Sequence, residues 1–214
     1  MKQLLYYLNN QSMYSKLEKF VRAFAPERYQ YAMSFYRPQD QYNALVAYTL
    51  LAILCRQPRI ELVRGANDKP FFKSNQDMEL SITHNSKFVA VAVSDKPIGI
   101  DGEPWQTIDA SIIKQVYSEN EQRELVNFSE LDTVFWTAKE AVSKLKNEDF
   151  YSIPKTNYYL HHGLLKDQND KTVNYNVFDL LEGVITVATE DVNICNFERL
   201  HNDELIRFIN RFHC

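Results

Sequence analysis

The sequence predicts an α+β fold: two similar α/β-sandwich halves related by a pseudo-two-fold axis, each with a small antiparallel sheet and a long packed helix. Two observations predict it. A long helix followed by a strand hairpin occurs over residues 40–93, and the same order recurs over residues 131–189. In both segments the apolar period changes from that of a helix to that of a strand. We therefore expect an N-terminal half over residues 1–100 and a C-terminal half over residues 101–214.

The N-terminal half should begin with a strand at residues 3–8, followed by helices over residues 15–24, 26–37 and 40–57. Asp40 is the predicted N-cap residue of the third helix. That helix, "DQYNALVAYTLLAILCRQ", is apolar on nearly every face, which is typical of a buried helix. Strands at "ELSITH" and "FVAVAV" are three residues apart, which suits a hairpin, and "IGID" should add a third strand to form a meander.

The C-terminal half should contain two helices, three strands and a last helix. Residues 110–126 and residues 132–146 have helical periodicity, and the second of these segments is clearly amphipathic. The predicted strands are "YYLHHGLL", "YNVFDLL" and "VITVATE", and the last helix is "NDELIRFINRF".

Composition is that of an ordinary globular protein, with 45% hydrophobic and 24% charged residues in 214. The net charge of −4 is unevenly distributed: residues 1–78 carry 11 basic and 6 acidic side chains (+5), and residues 79–214 carry 13 and 22 (−9). This asymmetry indicates an anionic ligand on one side and a cation on the other, although scatter over two solvated surfaces would also produce it.

Several classes of protein are disfavoured. We find no apolar run of 18 residues and no signal-peptide pattern, so neither a membrane span nor a membrane partner is expected. Cys55, Cys195 and Cys214 fit no disulfide framework or metal site, which favours reduced thiols and a cytoplasmic location. No histidine pair has the spacing of a zinc site. We expect no nucleic-acid partner, and a chain made of two halves suggests a monomer.

Two acids stand at the end of the predicted strand "IGID". In the meander, Thr83 and His84 should lie at the same sheet edge as Asp101 and Glu103. Residues two apart on a strand point to one face, so both carboxylates should project together. Because burying a charge is costly unless it is paired, these acids either face solvent or hold a cation.

The helix "FWTAKEAVSKLK" carries a second acid in a comparable position. Trp136, Glu140 and Lys144 are four residues apart and form one stripe, and the apolar Trp136 should draw Glu140 towards the core. An exposed Glu140–Lys144 ion pair would also explain the spacing. If Glu140 instead meets the strand acids, three carboxylates would repel one another unless a hard cation such as Mg²⁺ lay between them. Lys144 and His84 could then contact phosphate oxygens.

These residues resemble the motifs of the 4'-phosphopantetheinyl transferase superfamily, in its larger, pseudo-dimeric Sfp-type branch. "IGIDGE" resembles the family's Gly-(Ile/Val)-Asp-x-Glu motif, and "WTAKEAVSK" resembles Trp-x-x-Lys-Glu-(Ala/Ser)-x-x-Lys. "SITHNSKFVAVAVS" is similar to the strand motif that precedes the first of these, and "NDKPFF" to the Gly-Lys-Pro element upstream. The resemblance runs from about residue 25 to residue 146, and more weakly to the C-terminus.

The resemblance implies a reaction: transfer of the 4'-phosphopantetheine arm of coenzyme A to a serine of an apo acyl or peptidyl carrier protein, releasing adenosine 3',5'-bisphosphate. It also implies the roles of individual residues. Asp101, Glu103 and Glu140 would hold Mg²⁺, Glu140 would be the base, Lys144 and His84 would contact the pyrophosphate, Thr83 and Lys69 the nucleotide phosphates, and Arg28 would lie near the 3'-phosphate.

The match to the family pattern is incomplete. Asp68 replaces the glycine of the Gly-Lys-Pro element, Tyr31 replaces a basic residue one turn after Arg28, and Asn43 replaces an arginine. These losses bear on coenzyme A affinity. They leave open a catalytically weak coenzyme A-binding homologue or a module that binds carrier proteins without chemistry. A metal-dependent phosphoesterase is disfavoured, because no second cluster that could position water is evident.

Overall fold

A computed structural model describes residues 2–65, 69–74, 77–148, 150, 156–161, 164–192 and 195–212. These residues form a mixed arrangement of helices and small sheets, so the predicted α+β class is confirmed. The α-helices of the described chain are α1 (Tyr14–Phe24), α2 (Pro26–Met33), α3 (Pro38–Leu54), α4 (Ala110–Val116), α5 (Glu119–Asn127), α6 (Leu131–Lys146) and α7 (Asn202–Asn210).

The strands of the described chain are β1 (Lys2–Leu8), β2 (Leu62–Arg64), β3 (Pro70–Phe72), β4 (Glu79–His84), β5 (Phe88–Ser94), β6 (Ile98–Glu103), β7 (Tyr158–His161), β8 (Leu164–Asp167), β9 (Asn174–Leu180), β10 (Gly183–Thr189) and β11 (Asn196–Arg199). They form a four-stranded sheet in the order β11-β1-β5-β4 and a three-stranded sheet in the order β6-β10-β9. β2 pairs with β3, and β7 pairs with β8, as separate hairpins.

The two larger sheets are built in a similar order along the chain. In the first, β1 is followed by α3 and the hairpin β4–β5, and β5 pairs antiparallel with β1. In the second, β6 is followed by α6 and the hairpin β9–β10, and β10 pairs antiparallel with β6. The C-terminal segment then packs against the first sheet and its helices. Strand β11 pairs in parallel with β1, and Leu205 and Phe208 of α7 pack in the core around α3. The division of the chain after residue 100 stays a prediction.

Helix α3 is buried over most of its length, as its apolar sequence predicts. It begins with Pro38 in the first turn, and Arg37 rather than Asp40 is the N-cap residue, so the predicted cap was wrong. Proline suits this position because its missing N–H would have no partner within the helix. Asp40 still lies in the first turn, where its charge is favourable to the helix dipole.

The predicted meander was wrong, because β6 leaves the hairpin's sheet and pairs with β10. Strand β6 nevertheless lies beside β4, joined by side-chain hydroxyls in place of a backbone ladder. Ser81 Oγ accepts a hydrogen bond from the N–H of Ile100 at 3.0 Å, and Thr83 Oγ1 accepts one from Gly102 at 3.1 Å. The strand acids therefore reach the end of β4 by a different route from the one expected.

Gly99 allows helix α6 to lie directly on β6. A Cβ atom at this position would be 2.0 Å from the carbonyl oxygen of Ala141 and 2.5 Å from the backbone nitrogen of Leu145. Because backbone atoms cannot move aside as a flexible side chain can, any larger residue would push the helix away. The glycine in "IGID" thus sets the distance between the strand acids and the stripe that contains Glu140.

Other differences concern the ends of elements. Residues 110–126 form two helices rather than one, because Ser118 caps α5 in a box with Glu121. "YYLHHGLL" spans the hairpin β7–β8, whose connecting residues 162–163 lie outside the described chain. The short β2–β3 hairpin was not predicted. Over the residues that the structure describes, no helix is both long and apolar enough to cross a membrane.

Candidate active site between the two sheets

Asp101 is the most buried acid of the predicted site, with 4% of its surface exposed. Its Oδ1 accepts hydrogen bonds from Lys144 Nζ at 2.7 Å and from Thr83 Oγ1 at 3.1 Å. Its Oδ2 is buried and has no hydrogen-bond partner within the described chain. A buried carboxylate oxygen without a partner is costly, so this atom is suited to bind an ion.

Thr83 lies beneath the acid rather than at the surface. Its side chain is 4% exposed and is held between Asp101 and the backbone of Gly102. In this arrangement the hydroxyl accepts from an N–H and donates to Asp101, which fixes the rotamer of the carboxylate. The predicted contact of Thr83 with a nucleotide phosphate stays a prediction.

Glu103 and Glu140 extend the negative charge around Asp101. Burial, the charge of Asp101 and, to a smaller extent, that of Glu140 together raise the pKa of Glu103 from 4.5 to about 7, against the opposing effect of Lys144. The three predicted carboxylates are therefore close enough to interact. Glu103 Oε2 also accepts a hydrogen bond from Gln106 Nε2 at 3.4 Å.

The donor set fits a hard divalent cation. Carboxylate oxygens are the ligands that Mg²⁺ prefers, and one of them here, Asp101 Oδ2, is buried and unpartnered. Within the described residues, no three His, Cys, Asp or Glu side chains lie close enough together to hold a metal ion, and the ammonium of Lys144 lies 2.7 Å from Asp101 Oδ1. Three acids and one lysine leave excess negative charge at the site, and a bound cation would offset it.

Replacing Glu103 by Gln is expected to stabilise the protein in EDTA at pH 8 by about 1 kcal/mol or more. The folded state raises the pKa of Glu103, so its stabilising contribution is complete below pH 4.5 and is lost as the pH rises through about 7. Urea unfolding at pH 8 and at pH 4 measures this difference, which should disappear at the lower pH. A variant less stable than wild type at pH 8 in EDTA would contradict the crowding of the acids.

His84 stands at the end of β4, beside the acids. Desolvation of the imidazole by neighbouring atoms lowers its pKa, and the positive charge of Lys144 lowers it further. Part of the side chain is nevertheless exposed to solvent. Asn43 Nδ2 lies 3.4 Å from His84 Nδ1 and donates to the carbonyl of Asn85 at 3.2 Å. Asn43, which replaces the arginine of the family pattern, thus joins α3 to the hairpin turn and to His84.

The basic side of the site comes from α2 and the β2–β3 hairpin. The guanidinium carbons of Arg28 and Arg64 each lie 4.4 Å from the ring centre of Tyr31. Lys69 Nζ lies 3.5 Å from Glu79 Oε2. Asp68, the other departure noted in this region, falls outside the described residues.

A cavity of about 240 Å³ lies between the basic residues of the hairpin and the region around the acids. It opens between β4, the β2–β3 hairpin and the C-terminal end of α6. Its lining includes Lys69, Pro70, Ser81, Ser143 and Lys144. The cavity therefore connects the basic hairpin with the lysine that contacts Asp101.

A buried ion pair that joins helices α5 and α6 was not predicted. Lys139 Nζ donates to both carboxylate oxygens of Glu121, at 3.0 and 2.9 Å, and to Thr156 Oγ1. Lys139 is 5% exposed and Glu121 is fully buried. Because Lys139 precedes Glu140 on α6, the pair fixes the rotation of the helix that presents Glu140.

Replacing Lys139 by Met should lower the free energy of unfolding by about 3–5 kcal/mol, since the buried Glu121 would lose its counter-charge. Urea denaturation measures this loss. Lys146→Met on the same helix is the matched control: it removes an ion pair with Asp170 whose side chains are 32% and 26% exposed, and should cost about 1 kcal/mol or less. Equal losses in the two variants would show that the buried pair has no special role.

Comparison with known proteins finds relatives of the segment that contains the predicted site. Residues 97–177 match the 4'-phosphopantetheinyl transferase superfamily. The chain is 28% identical over 148 residues to 4'-phosphopantetheinyl transferase gsp of Aneurinibacillus migulanus. This alignment covers 63% of this chain and 60% of that protein. It is 27% identical over 115 residues to 4'-phosphopantetheinyl transferase Sfp of Bacillus subtilis strain 168, covering 51% of each. It is 31% identical over 84 residues to 4'-phosphopantetheinyl transferase psf-1 of Bacillus pumilus, covering 37% of this chain and 36% of that one.

The aligned regions are partial: the chain spans about half to three-fifths of the length of the first two relatives. The superfamily match contains the strand acids, helix α6 and the strands β7 to β9 up to residue 177. The resemblance drawn from the motifs alone is thereby confirmed.

Proposed function

We propose that this chain, whose residues 97–177 match the 4'-phosphopantetheinyl transferase superfamily, is a member of it and transfers the 4'-phosphopantetheine arm of coenzyme A to a serine of an apo acyl or peptidyl carrier protein. The observation that carries the proposal is the unpartnered Oδ2 of Asp101, buried at the end of β6 beside the stripe of Glu140 and Lys144. The second product is adenosine 3',5'-bisphosphate.

Asp101, Glu103 and Glu140 are the residues that would hold Mg²⁺. Bound there, the ion would neutralise charge on the coenzyme A pyrophosphate and on the transition state. Lys144 exchanges its contact with Asp101 for a pyrophosphate oxygen, and His84 donates to the same group. The lowered pKa of His84 rises again when an anion binds beside it, because the anion favours the charged imidazolium.

Glu140 is the proposed base. The serine oxygen of the carrier protein bonds to the phosphorus that bears the pantetheine, and the bond from that phosphorus to the bridging oxygen breaks. The serine proton passes to the Glu140 carboxylate, and the bridging oxygen leaves with adenosine 3',5'-bisphosphate. A serine hydroxyl is a weak nucleophile at neutral pH, so a base within hydrogen-bond reach is needed.

We extend the proposal to the fold. The halves 1–100 and 101–214 are related by a pseudo-two-fold axis, with coenzyme A bound over the edge where the ends of β4 and β6 meet. The repeated order of strand, long helix and hairpin supports this relation. We also propose a monomer that acts in the cytoplasm, with neither nucleic acid nor membrane as a partner. Cys55 and Cys195, which form no disulfide in the described chain, are consistent with that location.

The transfer is tested by incubating the protein with coenzyme A, Mg²⁺ and a panel of apo carrier proteins, followed by intact-mass measurement of each carrier. A gain equal to one phosphopantetheine arm, on the serine, is expected. Coenzyme A binding without any mass gain would favour the alternative of a catalytically weak homologue. Carrier binding alone, with neither coenzyme A binding nor mass gain, would favour a carrier-binding module.

A further inference from the structure

The side-chain amide of Asn43 is buried on α3, and its neighbours fix which of its two polar atoms is the nitrogen. The Nδ2 atom donates to the carbonyl oxygen of Asn85 at 3.2 Å. The Oδ1 atom accepts from Asn9 Nδ2 at 3.2 Å and from Gln39 Nε2 at 2.9 Å. A backbone carbonyl only accepts, so the Asn43 atom beside it is the NH2 group. Asn9 agrees with this orientation, because its own Nδ2 also donates to the carbonyl of Asn85, at 2.9 Å.

The second hydrogen of the same NH2 group faces the imidazole of His84. Asn43 Nδ2 lies 3.4 Å from His84 Nδ1. An amide nitrogen donates and does not accept, so Nδ1 of the neutral imidazole is the unprotonated nitrogen and the proton lies on Nε2. The hydrogen bond is long, but the opposite tautomer would set two N–H groups against each other. The contact with α3 therefore selects one tautomer of His84.

The turn that follows His84 is tied to the strand that carries the acids. Asn85 Nδ2 donates to the carbonyl oxygen of Gly102 at 3.1 Å, and Gly102 lies between Asp101 and Glu103. The turn is thus bound to β6 on one side and to α3 on the other. Because Nδ1 of His84 is turned towards α3, Nε2 is the nitrogen that remains to donate to a ligand beside the acids.

We propose that Asn43 is a positioning residue, which holds His84 as the Nε2–H tautomer so that the neutral imidazole donates to the pyrophosphate of coenzyme A. The inference rests on the proposed function for the identity of this anion. A neutral donor needs no second N–H, which in the imidazolium would be directed at the amide of Asn43. At the position where the family pattern has an arginine, this chain therefore has an amide that orients the histidine.

The tautomer is tested in the full-length protein without ligand, labelled at its histidine nitrogens, by a long-range proton–nitrogen correlation spectrum at pH 8. The pKa of His84 is lowered from its usual 6.5, so the imidazole is neutral at this pH. The signals of His84 are identified by their loss in His84→Gln. We expect a protonated Nε2 and an unprotonated Nδ1. Asn43→Asp should move the proton to Nδ1, because a carboxylate only accepts.

Gln41→Leu is the matched control for that variant. Gln41 lies on the same helix and donates its side-chain amide to the carbonyl oxygen of Phe35 at 2.8 Å. The control thus removes one amide hydrogen bond from α3, and the tautomer of His84 should not change.

A double-mutant cycle on coenzyme A affinity separates the positioning role from a general effect of the new charge. Calorimetry should show that Asn43→Asp weakens coenzyme A binding at least about tenfold, because a hydrogen bond to a charged group is lost. In the His84→Gln background the same change should cost clearly less, since the glutamine amide can rotate to donate. Repulsion by the carboxylate at position 43 is present in both backgrounds and cancels in the cycle.

A proton on Nδ1 of His84 in wild type would overturn the inference, and this spectrum is decisive even if Asn43→Asp fails to fold. Equal losses of coenzyme A affinity in the two backgrounds would overturn it as well. If the tautomer and the coupling are as expected but no carrier protein gains a phosphopantetheine arm, the proposed transfer is refuted and the role of Asn43 stands.

Discussion

Asp101→Asn should reduce transfer at least about 10²-fold, because a direct ligand is expected to matter more than the outer groups whose loss costs 10–100-fold. Asparagine keeps the shape and the hydrogen bond from Thr83 but removes the charge that pairs with Lys144 at 2.7 Å. The rate should be measured at saturating coenzyme A over a range of Mg²⁺ concentrations. We expect high Mg²⁺ to restore little activity, since the lost oxygen is the buried one.

Asp179→Asn is the matched control for that variant. Asp179 is exposed on β9. In the strand register, Val184 of β10 is paired with Asp179 on one side and with Glu103 on the other. The control thus removes one carboxylate from the same end of the same sheet. Asp101→Asn with near-normal turnover at moderate Mg²⁺ would refute the assignment of Asp101 as a ligand, and a similar loss in both variants would show a general effect of charge.

Glu140→Gln should reduce kcat at least about 10²-fold, which is typical of removing a general base. The amide keeps the size of the side chain and one oxygen that can contact an ion, but it cannot accept the serine proton. Single-turnover transfer to an apo carrier measures the chemical step, and calorimetry measures coenzyme A binding separately. We expect the loss to lie mainly in the chemical step.

Glu119→Gln is a suitable control, because its side chain is 92% exposed at the start of α5. A second readout is the rate at pH 8 and above, where Glu103, whose pKa is about 7, is ionised in both proteins, so that the difference in kcat reports on Glu140. If the variant keeps most of the rate of the chemical step, a water or another side chain is the base.

Sequence reasoning placed the acids correctly but described the sheet wrongly. Period-two alternation predicts that Asp101 and Glu103 share a face of β6. The position of Asp101 beside Thr83 was predicted from the meander, which was wrong, although Thr83 does contact Asp101. The alternation does not show which sheet a strand joins. The partner of β6 is β10, whose pairing with Asp101 through Thr186 depends on chain some 80 residues later. The stripe on α6 was easier to predict, because helical spacing is local.

The features that were missed depend on contacts between distant segments. Lys139 belongs to the predicted helix, but nothing in the sequence shows that Glu121, on another helix, is its partner. Arg64 lies in a segment for which no element was predicted, and its contact with Tyr31 depends on the β2–β3 hairpin. Tyr31 and Asn43 could be identified as departures from the family pattern, but their contacts with Arg64 and His84 could not.

The central claim is that the acids between the two sheets hold a divalent cation on coenzyme A. Calorimetric titration of Mg²⁺ into the protein with bound coenzyme A tests it most directly, with the Asp101→Asn and Asp179→Asn variants measured alongside. We predict a saturable site in wild type and in Asp179→Asn, and at least about a tenfold weaker one in Asp101→Asn. Equal Mg²⁺ affinity in all three proteins would contradict the claim.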